Sequence, residues 1–301
     1  MILIHVMGGL GNQLYQYALY EKLKSLGKTV KLDLYAYTDA TGDDREWRKL
    51  ELDRFEGLDY EVATQKERMA LLDNRMKIWD RVRRKLCGRQ NKTVKETAEY
   101  MPEIFDMDDV YLYGFWECER YYHDILEHLR TKIVFPRSDN PKNIQCMKQM
   151  ETENAVSVHI RRKDYLTVAD GARYMGICTE RYYEGAMRYI AQHVADPIYY
   201  IFSDDIEYVK KHYQGNTIRI VDWNDGDNSL FDMQLMSQCK HHICANSTFS
   251  MWGARLNSKP DKLMLRPLRH DNYEKIVIQK RLCDWENWIF LDENGDVCER
   301  E

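Results

Sequence analysis

The chain has 301 residues, with 44 Lys and Arg against 49 Asp and Glu, for a formal net charge of −5. Hydrophobic residues at 44%, charged residues at 31% and only 6 prolines exclude disordered, collagen-like and low-complexity classes, leaving one large globular domain or two smaller ones. The mild acidity excludes a dedicated nucleic-acid binder, which would carry a basic balance, while leaving room for a local cationic site that takes a phosphorylated ligand.

Residues 2–6 are apolar and β-leaning. The run breaks at Gly8-Gly9-Leu10-Gly11, after which apolar positions recur at helical spacing. Gly27 ends that helix and residues 29–35 alternate as a strand. A long helical region is expected over 62–87, a strand over 110–115 and a helix over 119–131. The polar stretch Arg137-Ser138-Asp139-Asn140-Pro141 reads as a linker between two α/β domains, 1–140 and 141–301. Beyond it the alternation is regular, with strands over 155–161, 198–202, 217–221, 242–245 and 262–265 and helices over 180–194, 206–213, 228–238 and 248–257. Strands separated by such helices predict a parallel doubly wound sheet, in which ligands sit beyond the carboxyl ends of the strands.

The eight cysteines form no C-x-x-C pair and fit a reducing compartment as small buried hydrophobes. The first residues have no basic flank and are too short for a secretory signal, and no apolar run approaches the roughly 20 residues of a membrane-spanning helix. A cytoplasmic location is expected.

Four strand ends carry the candidate chemistry. In Gly8-Gly9-Leu10-Gly11-Asn12-Gln13, the glycines Gly8, Gly9 and Gly11 permit a tight turn, and the helix start offers N–H groups and a positive dipole end to an anion. The dinucleotide fingerprint fails, because Gly11 is followed by Asn12-Gln13-Leu14. A plain turn is the competing reading, and Asn12 and Gln13 suggest hydrogen bonds to a polar ligand. In Val158-His159-Ile160-Arg161-Arg162-Lys163-Asp164, alternation puts Ser157, His159 and Arg161 on one face and Val158, Ile160 and Arg162 on the other. A guanidinium there binds a diphosphate bidentately, with Asp164 placed to orient one arginine; a solvated charge cluster is the alternative. Phe202-Ser203-Asp204-Asp205 offers a carboxylate to a ribose or a guanine N–H pair, or else caps the next helix, and the roles can be divided between Asp204 and Asp205. Asn246-Ser247-Thr248-Phe249-Ser250 places hydroxyls and helix N–H groups at a second phosphate cradle, where a simple cap needs only one such residue. Asp106-x-Asp108 and Asp225-x-Asp227 match the D-x-D spacing of metal-dependent nucleotide-sugar enzymes, but both lie in acidic turn-like stretches, so no metal is expected.

These blocks resemble a known family. Gly8 through Ala18 is similar to the N-terminal signature of the bacterial α-1,2-fucosyltransferases of glycosyltransferase family 11. His159-x-Arg161-Arg162-x-Asp164 resembles the H-x-R-R-x-D motif of α-1,2-, α-1,6- and protein O-fucosyltransferases. Tyr113-Gly114-Phe115-Trp116, and the stretch from Phe231 to Trp252, resemble the family's mid-chain and later blocks, with Met251 where a second tryptophan would be expected. The resemblance implies a GT-B fold, two Rossmann-like domains facing a cleft, with an N-terminal acceptor domain and a C-terminal donor domain. It implies inverting transfer of L-fucose from GDP-β-L-fucose to the 2-OH of a terminal galactose on an oligosaccharide or glycolipid, with no cofactor. By residue it implies a diphosphate role for Arg161, a nucleotide contact for His159, and a phosphate cradle from Ser247, Thr248 and Phe249.

The chemistry agrees with the residues: fixed positive charge and N–H dipoles aimed at the departing GDP stabilise the leaving group without a metal. For the acceptor proton, Asp33, Glu46, Glu117 and Glu119 are candidates, as is a route without a base. Residues 75–86 make a basic helix with Met76, Ile78, Trp79, Val82 and Leu86 apolar. Its apolar face either packs on the core or lies on an anionic membrane, where glycolipid acceptors are found, on the inner face. Rival readings are a metal-dependent glycosyltransferase, which EDTA would silence, and a non-catalytic sugar-nucleotide-binding protein, which would bind without turnover.

Overall fold

In a computed structural model of the chain, which describes residues 1–38, 48–163, 165, 171–273 and 287–299, the apolar start forms β1 (Ile2–His5) and feeds α1 (Leu10–Ser25). Twelve of the sixteen residues of α1 are buried, so the helix has no solvent stripe and is packed nearly all round. Next come β2 (Val30–Asp33), α2 (Gln65–Leu71), α3 (Ile78–Cys87), β3 (Thr93–Lys95), β4 (Tyr111–Tyr113) and α4 (Leu126–Lys132). The four strands pair in parallel in the order β2-β1-β4-β3.

The helix expected over 62–87 is broken. Thr64 and Glu67 form a capping box that starts α2. Asp73 then adopts a left-handed backbone (φ 54°), and its carboxylate accepts the Gln90 N–H at 2.7 Å and pairs with Arg83. A side-chain hydrogen bond to a distant backbone group pins the turn, and α3 begins afresh. The helix expected over 119–131 likewise begins as two 3-10 turns, Glu119–Tyr121 and His123–Ile125, because Tyr122 sits at φ −146° between them.

The chain divides into Met1–Val134 and Phe135–Glu301. The polar stretch 137–141, which reads as a linker, lies just past that division and runs into a helix start: Asn140 accepts the Lys142 N–H at 3.0 Å and Pro141 occupies the first turn of α5 (Pro141–Thr152). The second unit then runs β5 (Asn154–Ile160), α6 (Glu180–His193), β6 (Pro197–Ser203), α7 (Ile206–His212), β7 (Ile218–Val221), α8 (Ser229–Gln238) and β8 (His241–Ile243). It closes with α9 (Thr248–Leu256), β9 (Met264–Pro267), β10 (Trp288–Leu291) and β11 (Val297–Cys298). The seven strands lie in the order β11-β10-β9-β8-β5-β6-β7, parallel except for β11. From β7 to β10 this is the doubly wound order in which β5 is the first strand and the chain switches direction between β5 and β8.

The expected α/β class, with two parallel-sheet units, is therefore observed. The alternation read in β5 holds too. Val156, Val158 and Ile160 pack with Tyr182, Ala186 and Ile190 of α6 on one face. On the other face Ala155 packs with Tyr200, Phe202, Leu235 and Met236. Strands β3, β10 and β11 went unread: β3 and β11 are three and two residues long, too short to show a period of two. Among the described residues no helix is long and apolar enough to cross a membrane.

The final hairpin is seated by a glycine-to-glycine contact. A Cβ on Gly185 of α6 would overlap the Gly295 carbonyl, and Gly295 itself sits at φ +82°. Gly185→Ala is expected to lower unfolding stability by roughly 1–3 kcal/mol through overpacking, read by urea denaturation. An unchanged midpoint would mean that the hairpin does not rest on this contact.

Candidate active site

The carboxyl ends of β5, β6 and β8 bring three of the four sequence-derived blocks together. Parallel pairing of β5 with β6 sets Ile160 opposite Ser203, so Arg161 and Asp204 leave the sheet side by side. Their side chains form an ion pair, Nε to Oδ2, at 3.3 Å. Asp204 also accepts the Arg162 N–H at 2.9 Å. Arg162 turns to the opposite face, where its Nε meets Asp205 Oδ2 at 3.2 Å and its guanidinium stacks 3.5 Å from the Tyr208 ring centroid. The other Asp205 oxygen accepts the Tyr208 N–H at 3.2 Å and caps α7. Asp204 and Asp205 thus hold the two arginines, one each. Asp164, expected to do that work, lies outside the described residues.

His159 is buried, with its ring 5.8 Å from that of Phe249 at the start of α9. Tyr183 Oη donates to the His159 carbonyl at 2.9 Å, while His159 Nδ1 has no hydrogen-bond partner among the described residues. Burial, and then the charge of Arg161, push this imidazole down to about 3, so it is neutral near pH 7. Such a buried nitrogen costs free energy unless something pairs with it. It lies at the switch point of the sheet, where doubly wound folds bind ligands.

The Asn246–Ser250 block splits into two roles. Asn246 is consumed internally: its amide donates to the carbonyls of His270 at 3.1 Å and Tyr174 at 3.4 Å, and its oxygen accepts from Cys178 Sγ at 3.5 Å. Ser250 is buried and donates to the Ser247 carbonyl at 3.2 Å. Ser247 is the N-cap of α9 without a side-chain capping bond, so the Ser247–Phe249 turn presents the helix N-terminus. Beside Arg161 and Arg162 opens a cavity of about 200 Å³ lined by Tyr165, Tyr174, Tyr183 and Tyr208. Ligand clefts usually measure about 300–1,000 Å³, so this one is small. Tyr165 stacks on Tyr174 at 4.9 Å and donates to the Asn246 carbonyl at 2.8 Å. Sequence reasoning missed these tyrosines, whose only signal was Tyr165 beside the arginine motif.

The fourth block lies in the first unit. Gly8 sits at φ +82°, and a Cβ there would overlap Asn12, so glycine is required twice over. Gly9 is the N-cap of α1 and Gly11 lies within its first turn. Gln13 is fully buried and saturated: its amide donates to the carbonyls of Gly8 at 3.0 Å and Lys49 at 2.8 Å and to Tyr37 Oη at 3.2 Å, and its oxygen accepts the Glu51 N–H at 2.8 Å. It clamps the loop. Asn12 Oδ1 is buried without a hydrogen-bond partner among the described residues.

Of the proton-acceptor candidates, Glu46 lies outside the described residues, and Glu117 and Glu119 are buried. Asp33 is buried and engaged by Tyr111 Oη at 2.6 Å, the Tyr35 N–H at 3.2 Å and Arg68 Nε at 3.1 Å. Burial pushes its carboxyl up, but bonds from His5, Tyr111 and Tyr35 with the Arg68 charge outweigh it and hold the group below its usual range. Such a carboxylate is a weak base. Of the D-x-D pairs, Asp108 is bound by Lys28 at 3.3 Å, and Asp225 stands at the N-cap position of the 3-10 turn Gly226–Asn228 without a side-chain capping bond.

Residues 95–291 match a family model described as glycosyl transferase family 11. The chain is similar to an α-1,2-colitosyltransferase of Escherichia coli, 34% identical over 267 residues, covering 86% of this chain and 88% of that one. It is also similar to the E. coli O-antigen biosynthesis glycosyltransferase WbnK, 30% identical over 284 residues, covering 86% and 91%. A galactoside α-(1,2)-fucosyltransferase 1 of Ateles belzebuth is 24% identical over 166 residues, 51% of this chain and 45% of the relative.

The depressed His159 pKa has a signed consequence. The unfolded chain takes up a proton near pH 6.5 that the folded chain refuses until about 3, so this contribution to stability is complete above 6.5 and lost as pH falls. Between pH 7 and 5 the loss is about 2 kcal/mol. The stability difference between the wild type and His159→Gln, measured by denaturant titration across that range, should shrink by this amount on acidification. A constant difference would mean that His159 titrates alike in the folded and unfolded chains.

Proposed function

The chain belongs to glycosyltransferase family 11, and from that premise we propose that it transfers L-fucose from GDP-β-L-fucose to the 2-OH of a terminal galactose, with inversion, making an α-1,2 linkage. The observation that carries the reading is the cluster at the switch point of the second sheet: Arg161 held by Asp204, the unpartnered nitrogen of buried His159, and the N-terminus of α9 at Ser247–Phe249. All three are suited to an anion with a polar edge, as a nucleoside diphosphate is.

In this reading the second unit binds the donor and the first the acceptor. The bond from the fucose anomeric carbon to the diphosphate oxygen breaks with negative charge growing on GDP. The new bond forms from the galactose 2-oxygen, whose proton leaves. Arg161 and the N–H groups of Thr248 and Phe249 meet the growing charge, and Asp204 fixes the guanidinium plane in advance, so little reorganisation is needed in the transition state. Arg162, locked on Asp205 and Tyr208, supports the wall of the cavity. Since fixed cations and dipoles supply the charge stabilisation, activity is expected to survive EDTA.

A second donor is favoured by one observation, the similarity to a colitosyltransferase. Colitose is L-fucose without its 3-hydroxyl. A site built to hydrogen-bond that hydroxyl discriminates strongly against the deoxy sugar, whereas a site shaped for the deoxy sugar discriminates weakly. Comparing kcat/KM for GDP-fucose and GDP-colitose with lactose as acceptor decides between them, and GDP binding without GDP release from either donor would overturn the enzyme reading.

Arg161→Lys keeps the charge but not the planar two-pronged contact. It should lower kcat/KM by about a hundredfold, about 3 kcal/mol of barrier, with thermal stability little changed. A folded Arg161→Lys protein with wild-type turnover and GDP affinity would remove the diphosphate from this site.

A further inference from the structure

Helix α3 is oriented inside out. In an ordinary surface helix the apolar stripe faces the core and the charges face water. Here none of the helix is buried, and its large apolar side chains are among the most exposed of the described residues, Ile78 at 76%, Trp79 at 83% and Leu86 at 79%, with Met76 just before it at 72%. Val82 shares this side at 43%. The polar side does the anchoring. Arg83 pairs with buried Asp73, and Arg84 donates to the Asp73 carbonyl at 3.0 Å and the Arg75 carbonyl at 2.8 Å. The helix is thus tied to its own unit by arginines and presents its hydrophobic stripe to solvent. Of the alternatives open from the sequence, packing of the stripe on the core is not what the structure shows.

Charge says what covers the stripe. Lys77, Arg81 and Lys85 are exposed and stand four residues apart, forming a cationic row along one flank of the apolar side, and exposed Arg89 follows just beyond the helix. Asp80, at the opposite side of the helical wheel, is the sole acidic residue between 74 and 92. An apolar stripe bordered by cations matches the boundary of a bilayer, where acyl chains take the side chains and anionic headgroups take the charges. A soluble acidic protein would satisfy the cations but has less use for an exposed Trp79 and its neighbours. We propose that α3 docks the protein on an anionic phospholipid surface, with Ile78, Trp79, Val82 and Leu86 inserted at the headgroup boundary and Lys77, Arg81 and Lys85 on the lipid charges. This holds whichever sugar the enzyme transfers.

The test is co-sedimentation of the purified full chain with phosphatidylcholine vesicles that either contain or lack phosphatidylglycerol. The wild type is expected to partition onto the anionic vesicles only, with a blue shift of tryptophan emission that Trp79→Phe removes, and to be released by salt. Replacing Ile78, Trp79 and Leu86 together by Ser should abolish binding. Reversing Lys77, Arg81 and Lys85 to Glu should weaken it at least roughly a hundredfold, at about 1 kcal/mol per cation. Trp79→Phe, which keeps the apolar bulk, should retain it. Both triple variants should keep wild-type GDP release with a soluble acceptor, which separates this proposal from the catalytic one. Equal partition onto neutral and anionic vesicles, or undiminished binding by the apolar variant, would overturn it. So would a dimer in light scattering that the Ser variant dissolves, since the stripe would then be covered by a second copy of the chain.

Discussion

The site hangs on the ion pair between Arg161 and Asp204. Neither residue is near the other in sequence; what joins them is the register of two parallel strands, with Ile160 opposite Ser203. A slip of one residue would turn every side chain of β5 to the other face and take Arg161 away from Asp204. The register is held by the two hydrophobic clusters on the faces of the sheet, so core packing sets the position of the cation. In the proposed role the pair has a cost, because Asp204 would repel an anion drawn to Arg161. The Arg162 N–H takes part of that charge by donating to the second Asp204 oxygen. The net effect is an oriented guanidinium beside a partly neutralised carboxylate, which favours geometry over raw attraction.

Much of this was legible in the sequence, for identifiable reasons. β5 alternates because both faces of a central strand are buried against different helices, so the division of Val158, Ile160 and Arg162 from Ser157, His159 and Arg161 follows from a period of two. The αβ alternation after residue 150 reads cleanly because the helices carry caps such as Asp205 and Thr179. What did not read is what depends on distant partners. Asp204 meets Arg161 only through the pairing of β5 with β6, which no local pattern announces. The break at Asp73 needs the Gln90 N–H, seventeen residues away, and no local propensity announces it. The cavity-lining tyrosines come from separate elements, and only the folded sheet gathers them.

Several candidate ligand groups turned out to be internal ties. Gln13, Asn246 and Asp33 each satisfy most of their hydrogen-bonding capacity within their own unit. A buried amide that loses its partners leaves several backbone groups unpaired at once, so such residues are constrained as tightly as any that touch a ligand. Polarity near a glycine loop therefore points to the loop's architecture as readily as to a bound molecule. The residues that stand apart are those with capacity unspent: His159 through Nδ1 and Asn12 through Oδ1.

Two helices depart from the usual amphipathic design, and the contrast explains both. Helix α1 buries Gln13, Gln16 and Glu21 along with its leucines and tyrosines because loops and strands supply partners on every side: Gln16 accepts the Met7 N–H at 3.1 Å and donates to the Gly114 carbonyl at 3.1 Å. A polar group survives burial when the surroundings meet it. Helix α3 has the reverse problem. Its unit offers a buried carboxylate and two carbonyls, partners for arginines and not for a tryptophan, so the arginines win the inward face. Turning the helix over would place apolar side chains against Asp73 and leave that carboxylate without its Arg83 partner, and an uncompensated buried charge is strongly destabilising. The outward stripe is therefore a consequence of the anchor.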